Sequence, residues 1–168
     1  MLLFGADVIA RLHMGHDIRP FFHHELFHLY HQRRFTSCEA VWCGLWTEGL
    51  AVYVAKSLNP KATDEDLLLT QPEPLRPAVD RNRDLAVCTV VAQLDSKDET
   101  IGAALFSSGR LRPELPPRFG YFVGYLAAGE MGRTSSPKQL ASMTPAQVRP
   151  ALEAALRRLA TCPAAKPA

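Results

Sequence analysis

The pentapeptide H-E-L-F-H at residues 24–28 is the feature that most restricts what this chain can fold into. It lies in a glycine-free stretch over 20–34, and Pro20 suits the first turn of a helix, where its missing N–H costs nothing. On a helix, residues four apart project from the same face, so the rings of His24 and His28 can meet at one point. The sequence therefore predicts a helix over 20–34 that carries two adjacent imidazoles.

Two histidines one turn apart, with a glutamate beside the first, form the H-E-x-x-H arrangement of zinc sites. The neutral ring nitrogens of His24 and His28 can hold the ion, and Glu25 can take a proton from a water at the open position. Leu26 and Phe27 make the helix apolar around these groups, and a buried polar cluster needs partners that a metal supplies. Because incidental histidines on a helix surface fit the pentapeptide too, the zinc site is a hypothesis.

A catalytic zinc ion needs a third protein ligand, and the next predicted helix offers Glu48. The capping box T-S-C-E at 36–39 favours a helix over 37–58 that is buried on most sides. Glu48 lies in L-W-T-E-G-L-A-V-Y, where an unpaired carboxylate is costly and a metal removes the cost. Gly49 beside it permits a close approach of another helix. A partly exposed or salt-bridged acid is the alternative for Glu48.

The rest of the chain is predicted to complete a single, mainly α domain with a small α+β remnant at its start. The expected elements are a short helix from Thr63, a loop over 71–77, a helix over 78–94, a helix opened by the S-K-D-E capping box at 96–99 and ending near 106, a loop over 110–118, and helices over 119–131 and 145–159. One or two short strands are expected at the N-terminus, over residues 2–9. The chain has 168 residues and 47% apolar content, enough for one core, and residues 161–168 are expected to form a frayed tail.

H-E-L-F-H, followed after nineteen residues by E-G-L-A-V-Y, resembles the gluzincin metallopeptidases, the group that includes thermolysin and the zinc aminopeptidases. The later P-P-R-F-G-Y-F-V-G-Y is reminiscent of predicted bacterial zinc-dependent proteases. The resemblance covers roughly residues 4–130. It implies a hydrolase for peptide or protein substrates, with one zinc ion held by His24, His28 and Glu48 and with Glu25 as general base.

The resemblance also implies a tyrosine or histidine that stabilises the oxyanion. Tyr121 is the first candidate and Tyr125, one turn later, the second; an aromatic pair packed in the core is the alternative. Arg118 is a candidate for binding a substrate carboxylate, with an uninvolved loop arginine as the alternative. The acid that thermolysin-like enzymes place four residues after the third ligand is Val52 here, so another group must orient His24.

The start of the chain departs from the family, because gluzincins carry a β-sheet before the zinc helix and only residues 2–9 are available for one. A vestigial sheet or a late start at an internal methionine would explain this. A non-catalytic or truncated zinc-binding or interaction module is therefore the alternative to an active peptidase. No signal peptide is predicted, which indicates a cytoplasmic protein as written and an exported one if the start is truncated.

Composition excludes some partners: the net charge of +2 gives no indication of a nucleic acid, and no apolar run is long enough for a membrane helix. All six histidines lie within residues 13–31. His31 is expected near the site face, His23 toward solvent, and His13 and His16 in structural or exposed positions. Four cysteines without a C-x-x-C pair are predicted to be free thiols, namely Cys38, Cys43, Cys88 and Cys162.

Overall fold

The computed structural model describes Gly15, residues 17–36 and residues 38–163. Within these ranges the chain forms eight α-helices and no β-strand, which confirms the mainly α class. The helices are α1 (Arg19–His31), α2 (Val41–Leu58), α3 (Leu75–Arg81), α4 (Arg83–Val91), α5 (Glu99–Phe106), α6 (Phe119–Met131), α7 (Pro137–Ala141) and α8 (Pro145–Leu159). Several predicted features lie outside the described residues: the strand over 2–9, His13, His16 and residues 164–168 of the tail.

Helix α2 is the centre of the fold, and its side chains are apolar on nearly every face. α1 and α6 pack against α2, while α8 packs against α6 and α4. One cluster of buried apolar side chains contains residues from all eight described helices. None of these helices is both long and apolar enough to cross a bilayer.

The crossing of α2 and α6 brings two backbones into direct contact. A Cβ atom added to Gly49 would lie 2.2 Å from the carbonyl carbon of Gly124, and one added to Gly124 would lie 2.4 Å from the carbonyl oxygen of Leu45. Only glycine, which has no Cβ, fits at either position. The close approach predicted at Gly49 is confirmed, and its partner is α6. This contact holds Glu48, the neighbour of Gly49, against the helix that carries Tyr121.

Helix α2 begins later than predicted, and the capping box at 36–39 does not form. Its first N–H groups instead donate to a distant loop: the Val41 N–H to the Ser96 carbonyl and the Trp42 N–H to the Leu94 carbonyl, each at 2.9 Å. Backbone acceptors satisfy the helix terminus as well as a side-chain cap does. The cap thus comes from tertiary structure.

Several other predicted elements differ from the structure, and α1 ends at His31 rather than at residue 34. The helix expected over 78–94 is two helices, because Asn82 leaves helical geometry at φ −125° and ψ 39°, and α3 begins inside the segment predicted as a loop. The segment after Thr63 forms turns rather than a helix, since Leu68 has φ 55°, which interrupts a right-handed helix. Asp98 replaces Ser96 as the cap of α5 and accepts the Thr100 N–H at 2.8 Å.

The last third of the chain follows its prediction closely. α6 has the predicted bounds, and α8 begins with the predicted capping box of Thr144 and Gln147. The short helix α7 was missed, although its own capping box, Ser136 with Gln139, is visible in the sequence. Helix starts in this chain are therefore predictable from sequence where neighbouring residues form the capping hydrogen bonds.

The prediction of free thiols is wrong, because the four cysteines form two disulfides. Cys38 bonds to Cys43 across a sequence separation of 5, and Cys88 bonds to Cys162 across a separation of 74. The second bond ties α4 to the segment that follows α8. Sequence spacing does not reveal a pairing that depends on which helices become neighbours.

Loop length predicts different contributions of the two disulfides to stability. Replacing Cys88 and Cys162 together by Ala is expected to lower the free energy of unfolding by about 4 kcal/mol, because a long loop loses its constraint in the unfolded chain. The Cys38–Cys43 disulfide closes a short loop. Replacing both cysteines by Ala is therefore expected to lower the free energy of unfolding by only about 2 kcal/mol. Urea unfolding of both double variants measures the difference. Equal losses would contradict the loop-entropy explanation.

Candidate metal centre

Three side chains from α1 and α2 meet at one point. α1 places His24 and His28 one turn apart, with their Nε2 atoms 2.9 Å from each other. Glu48 of α2 places Oε2 at 3.4 Å from each of these nitrogens. The three side chains keep only 16%, 21% and 23% of their surfaces exposed. The predicted ligands are therefore brought together by the fold.

The triangle of ligand atoms has the dimensions of a zinc site. A tetrahedral ion with bonds of about 2.0–2.1 Å keeps its ligand atoms about 3.3–3.4 Å apart. The separations of 2.9, 3.4 and 3.4 Å among His24, His28 and Glu48 are close to that value. Two imidazole nitrogens and one carboxylate oxygen are also a donor set that zinc uses in catalytic sites. The residues present therefore fit a zinc ion.

The charges of the site favour a cation. Burial alone would raise the pKa of Glu48, but hydrogen bonds with His24 and His28 outweigh it and hold that pKa at about 2. Burial lowers the pKa of His28, while its hydrogen bond to Glu48 and the charges of Glu48 and Glu25 raise it more, so the net shift is upward. Glu48 is thus ionised at neutral pH. A metal that binds here competes with protons for the imidazole nitrogens.

A cleft of about 70 Å³ opens beside the triangle. Its polar lining consists of His24, Glu25, Arg118 and Tyr121. Glu25 stands outside the triangle of ligand atoms but inside the same cleft as His24. A carboxylate in that position can exchange a proton with a water or substrate in the cleft without serving as a ligand.

Tyr121 is the tyrosine that the fold brings to this site. Its ring is stacked near that of His24, with centroids 6.5 Å apart. Burial, followed by the charge of Glu48, raises the pKa of the Tyr121 phenol to about 12, against a lowering by Arg118. The phenol therefore keeps its proton at neutral pH and can donate it in a hydrogen bond.

The structure does not bring Tyr125 to the cleft. Its ring packs against Phe122, with centroids 5.8 Å apart, and against Tyr53 at 6.5 Å. The guanidinium of Arg76 lies 5.9 Å from its centroid. Tyr125 thus packs among aromatic side chains, as the alternative interpretation expected, while Tyr121 lies beside the candidate ligands.

Two other histidines occupy places that differ from the predictions. His31 is 1% exposed and lies between the rings of Phe27 and Phe35, at 5.2 and 5.0 Å, so it belongs to the core rather than the cleft. Burial lowers its pKa to about 4, which keeps it neutral. His23 is half-buried rather than solvent-facing, because Asn59 donates its amide N–H to His23 Nδ1 at 2.7 Å.

The apolar wall of the cleft was missed at the level of sequence. Leu67 and Leu68 line it together with Phe21. The run L-L-L predicts a helix, whereas the structure has turns here, with Leu68 in a left-handed conformation at φ 55°. Val52, at the position where thermolysin-like enzymes carry an orienting acid, is 1% exposed and belongs to the core. It cannot orient a histidine by hydrogen bonding.

Comparison of the chain with protein-family models, with curated proteins and with solved structures finds no match. Function is therefore inferred from the geometry and chemistry of the site itself. The principal feature of the site is the triangle formed by His24, His28 and Glu48, with Glu25 and Tyr121 beside it.

Proposed function

We propose that this chain is a zinc-dependent metallopeptidase, with zinc held by His24, His28 and Glu48. The observation that carries the proposal is the compact triangle of their ligand atoms beside a cleft that also contains Glu25. Three protein ligands leave a tetrahedral ion one open position, which is the arrangement of hydrolytic zinc sites. Peptide hydrolysis is the reaction that this donor set and an adjacent glutamate support best.

A zinc ion bound at this site supplies Lewis acidity, which polarises a substrate carbonyl and lowers the pKa of a water toward 7. Glu25 accepts a proton from the attacking water at its carboxylate and then delivers it to the leaving amine. Tyr121 donates its phenolic hydrogen to the carbonyl oxygen as negative charge develops there.

A closed structural zinc site is the alternative, and it requires a fourth protein ligand. In the part of the chain that the structure describes, three ligand residues gather at the candidate site. That number supports the catalytic form of the proposal. His13 and His16, which lie outside the described residues, are the histidines that the alternative would recruit.

Metal content distinguishes a histidine that binds zinc from a neighbouring histidine that does not. The purified chain is expected to contain one zinc per molecule by mass spectrometry of the metal, and His24→Gln is expected to weaken zinc binding by more than about 100-fold, beyond the usual effect of losing an outer-shell partner. The matched variant His23→Gln should retain zinc, since His23 bonds to Asn59 instead.

The paired variant His13→Gln with His16→Gln tests the closed site. We expect it to retain one zinc per molecule, because three ligands and an open position suffice. Loss of zinc in this double variant would favour the structural alternative. Absence of zinc from the unmodified chain would contradict the proposed function.

The two disulfides bear on where such an enzyme works. Disulfide bonds persist in oxidising compartments, whereas cytosolic thiols are kept reduced. We therefore propose an oxidising compartment for this chain, which favours the exported one of the two locations considered from its sequence over the cytoplasm.

A further inference from the structure

We propose that Arg118 binds the terminal carboxylate of the substrate, so that the cleft accepts peptides whose last residue adjoins the scissile bond. This inference rests on the proposed function, because it names the substrate class of the same site. The reaction would be of the carboxypeptidase type: water adds to the last peptide carbonyl, the C–N bond breaks, and one amino acid with a free carboxylate leaves.

Arg118 is held in an uncommon conformation at the entrance to α6. Its φ of 66° lies in the left-handed region, which residues other than glycine rarely adopt. Its N–H donates to the Ala104 carbonyl at 3.2 Å, and its guanidinium donates to the Gln71 carbonyl at 3.0 Å. These contacts keep the guanidinium carbon 4.6 Å from the centroid of the Tyr121 ring. The charge is therefore positioned at the cleft.

The charge balance of the cleft leaves Arg118 available to an anion. Glu25 and Glu48 are the carboxylates that the structure describes at the site, and together they would offset a divalent ion. Arg118 is half-buried, and within the described residues its guanidinium contacts the Gln71 carbonyl oxygen and the ring and hydroxyl of Tyr121 rather than a carboxylate. A guanidinium binds a carboxylate through two parallel hydrogen bonds, a geometry that favours this ligand over other anions of similar size.

The lining of the cleft suits a terminal residue. Arg118, Tyr121 and His24 line the same cleft, so a carboxylate bound to Arg118 and the carbonyl of the preceding residue would lie within it together. Phe21 and Leu67 line the same cleft, so the terminal side chain is expected to be apolar.

A binding experiment tests the proposal on the zinc-loaded full chain. The probes are a hydroxamate-capped leucine with a free carboxylate and the same compound as its carboxamide, titrated by calorimetry. We expect the acid to bind about 10- to 100-fold more tightly, the range of a charge-assisted pair. Arg118→Asn removes the charge with a residue that tolerates the left-handed backbone, and the ratio should fall to about one. Arg112→Gln, exposed in the same loop and outside the cleft, should keep the full ratio.

Equal affinities of the two probes for the unmodified chain would overturn the proposal, as would a preference that survives in Arg118→Asn. If circular dichroism shows that this variant does not fold, Arg118→Lys decides: its point charge cannot pair through two bonds, so the ratio should fall several-fold, and an unchanged ratio overturns the assignment. Affinity is measured without turnover. A carboxylate preference in a chain that hydrolyses nothing would therefore reject the peptidase step and leave the carboxylate site.

Discussion

Glu25→Gln is expected to lower kcat for peptide hydrolysis by about 10²- to 10⁴-fold, the contribution of a positioned general base. Glutamine has nearly the same shape as glutamate, but its amide cannot accept a proton from water at neutral pH. Zinc content should be unchanged, because Glu25 lies outside the triangle of His24, His28 and Glu48. The measurement is single-substrate kinetics on the zinc-loaded variant, with metal analysis of the same sample.

Glu114→Gln is the matched control for this substitution. Glu114 is exposed in the loop before α6 and does not line the cleft. The kcat of the Glu114→Gln variant should therefore equal that of the unmodified chain. Full activity in Glu25→Gln, with zinc bound, would show that another group takes the proton. Absence of hydrolysis in the unmodified, zinc-loaded chain would reject the peptidase itself.

Gly124→Ala is expected to lower the free energy of unfolding by about 3 kcal/mol. The added Cβ would lie 2.4 Å from the Leu45 carbonyl oxygen and 2.9 Å from the Gly49 Cα. Both obstacles are backbone atoms, so no side-chain rotation can relieve the overlap, and α2 and α6 must move apart. For a chain of this size, thermal unfolding should show a fall in Tm of about 6–12 °C.

Gly129→Ala, in the same helix, provides the control. Its added Cβ would meet only the Tyr53 ring, at 3.9 Å, which is an ordinary contact. Alanine is also the better helix former, so this variant should be neutral or more stable by up to about 1 kcal/mol. Equal stability of the two variants would show that the crossing is adaptable. Gly124→Ala should in addition weaken zinc binding, because Glu48 lies beside the displaced contact.

The candidate ligands were accessible from sequence because their signals are local. His24 and His28 share a helix face through their spacing alone, and Glu48 stands out as an acid in an apolar helix. The tyrosine was harder to choose. Tyr121 and Tyr125 are one turn apart, and only the position of Gly124 against α2 determines that Tyr121 faces the site.

The features that sequence did not provide depend on contacts between distant segments. The N–H groups at the start of α2 are satisfied by the carbonyls of Leu94 and Ser96, which made the local capping box unnecessary. The pairing of Cys88 with Cys162 likewise requires α4 and the end of α8 to be neighbours. The left-handed backbone of Leu68 could not be predicted, because the turn has no glycine or proline that would indicate it.

The placement of α1 has a consequence for how this chain responds to metal supply. In the described part of the fold α1 packs mainly on α2, and its residues Leu26 and Tyr30 remain 54% and 39% exposed. An ion with ligands from both helices would hold α1 against α2. The binding free energy of the ion would then become part of the local stability of α1. At a hundredfold excess over its Kd, such an ion adds about 2.7 kcal/mol. Metal depletion would then let α1 open, which would move His24, Glu25 and His28 away from Glu48 in a single cooperative step.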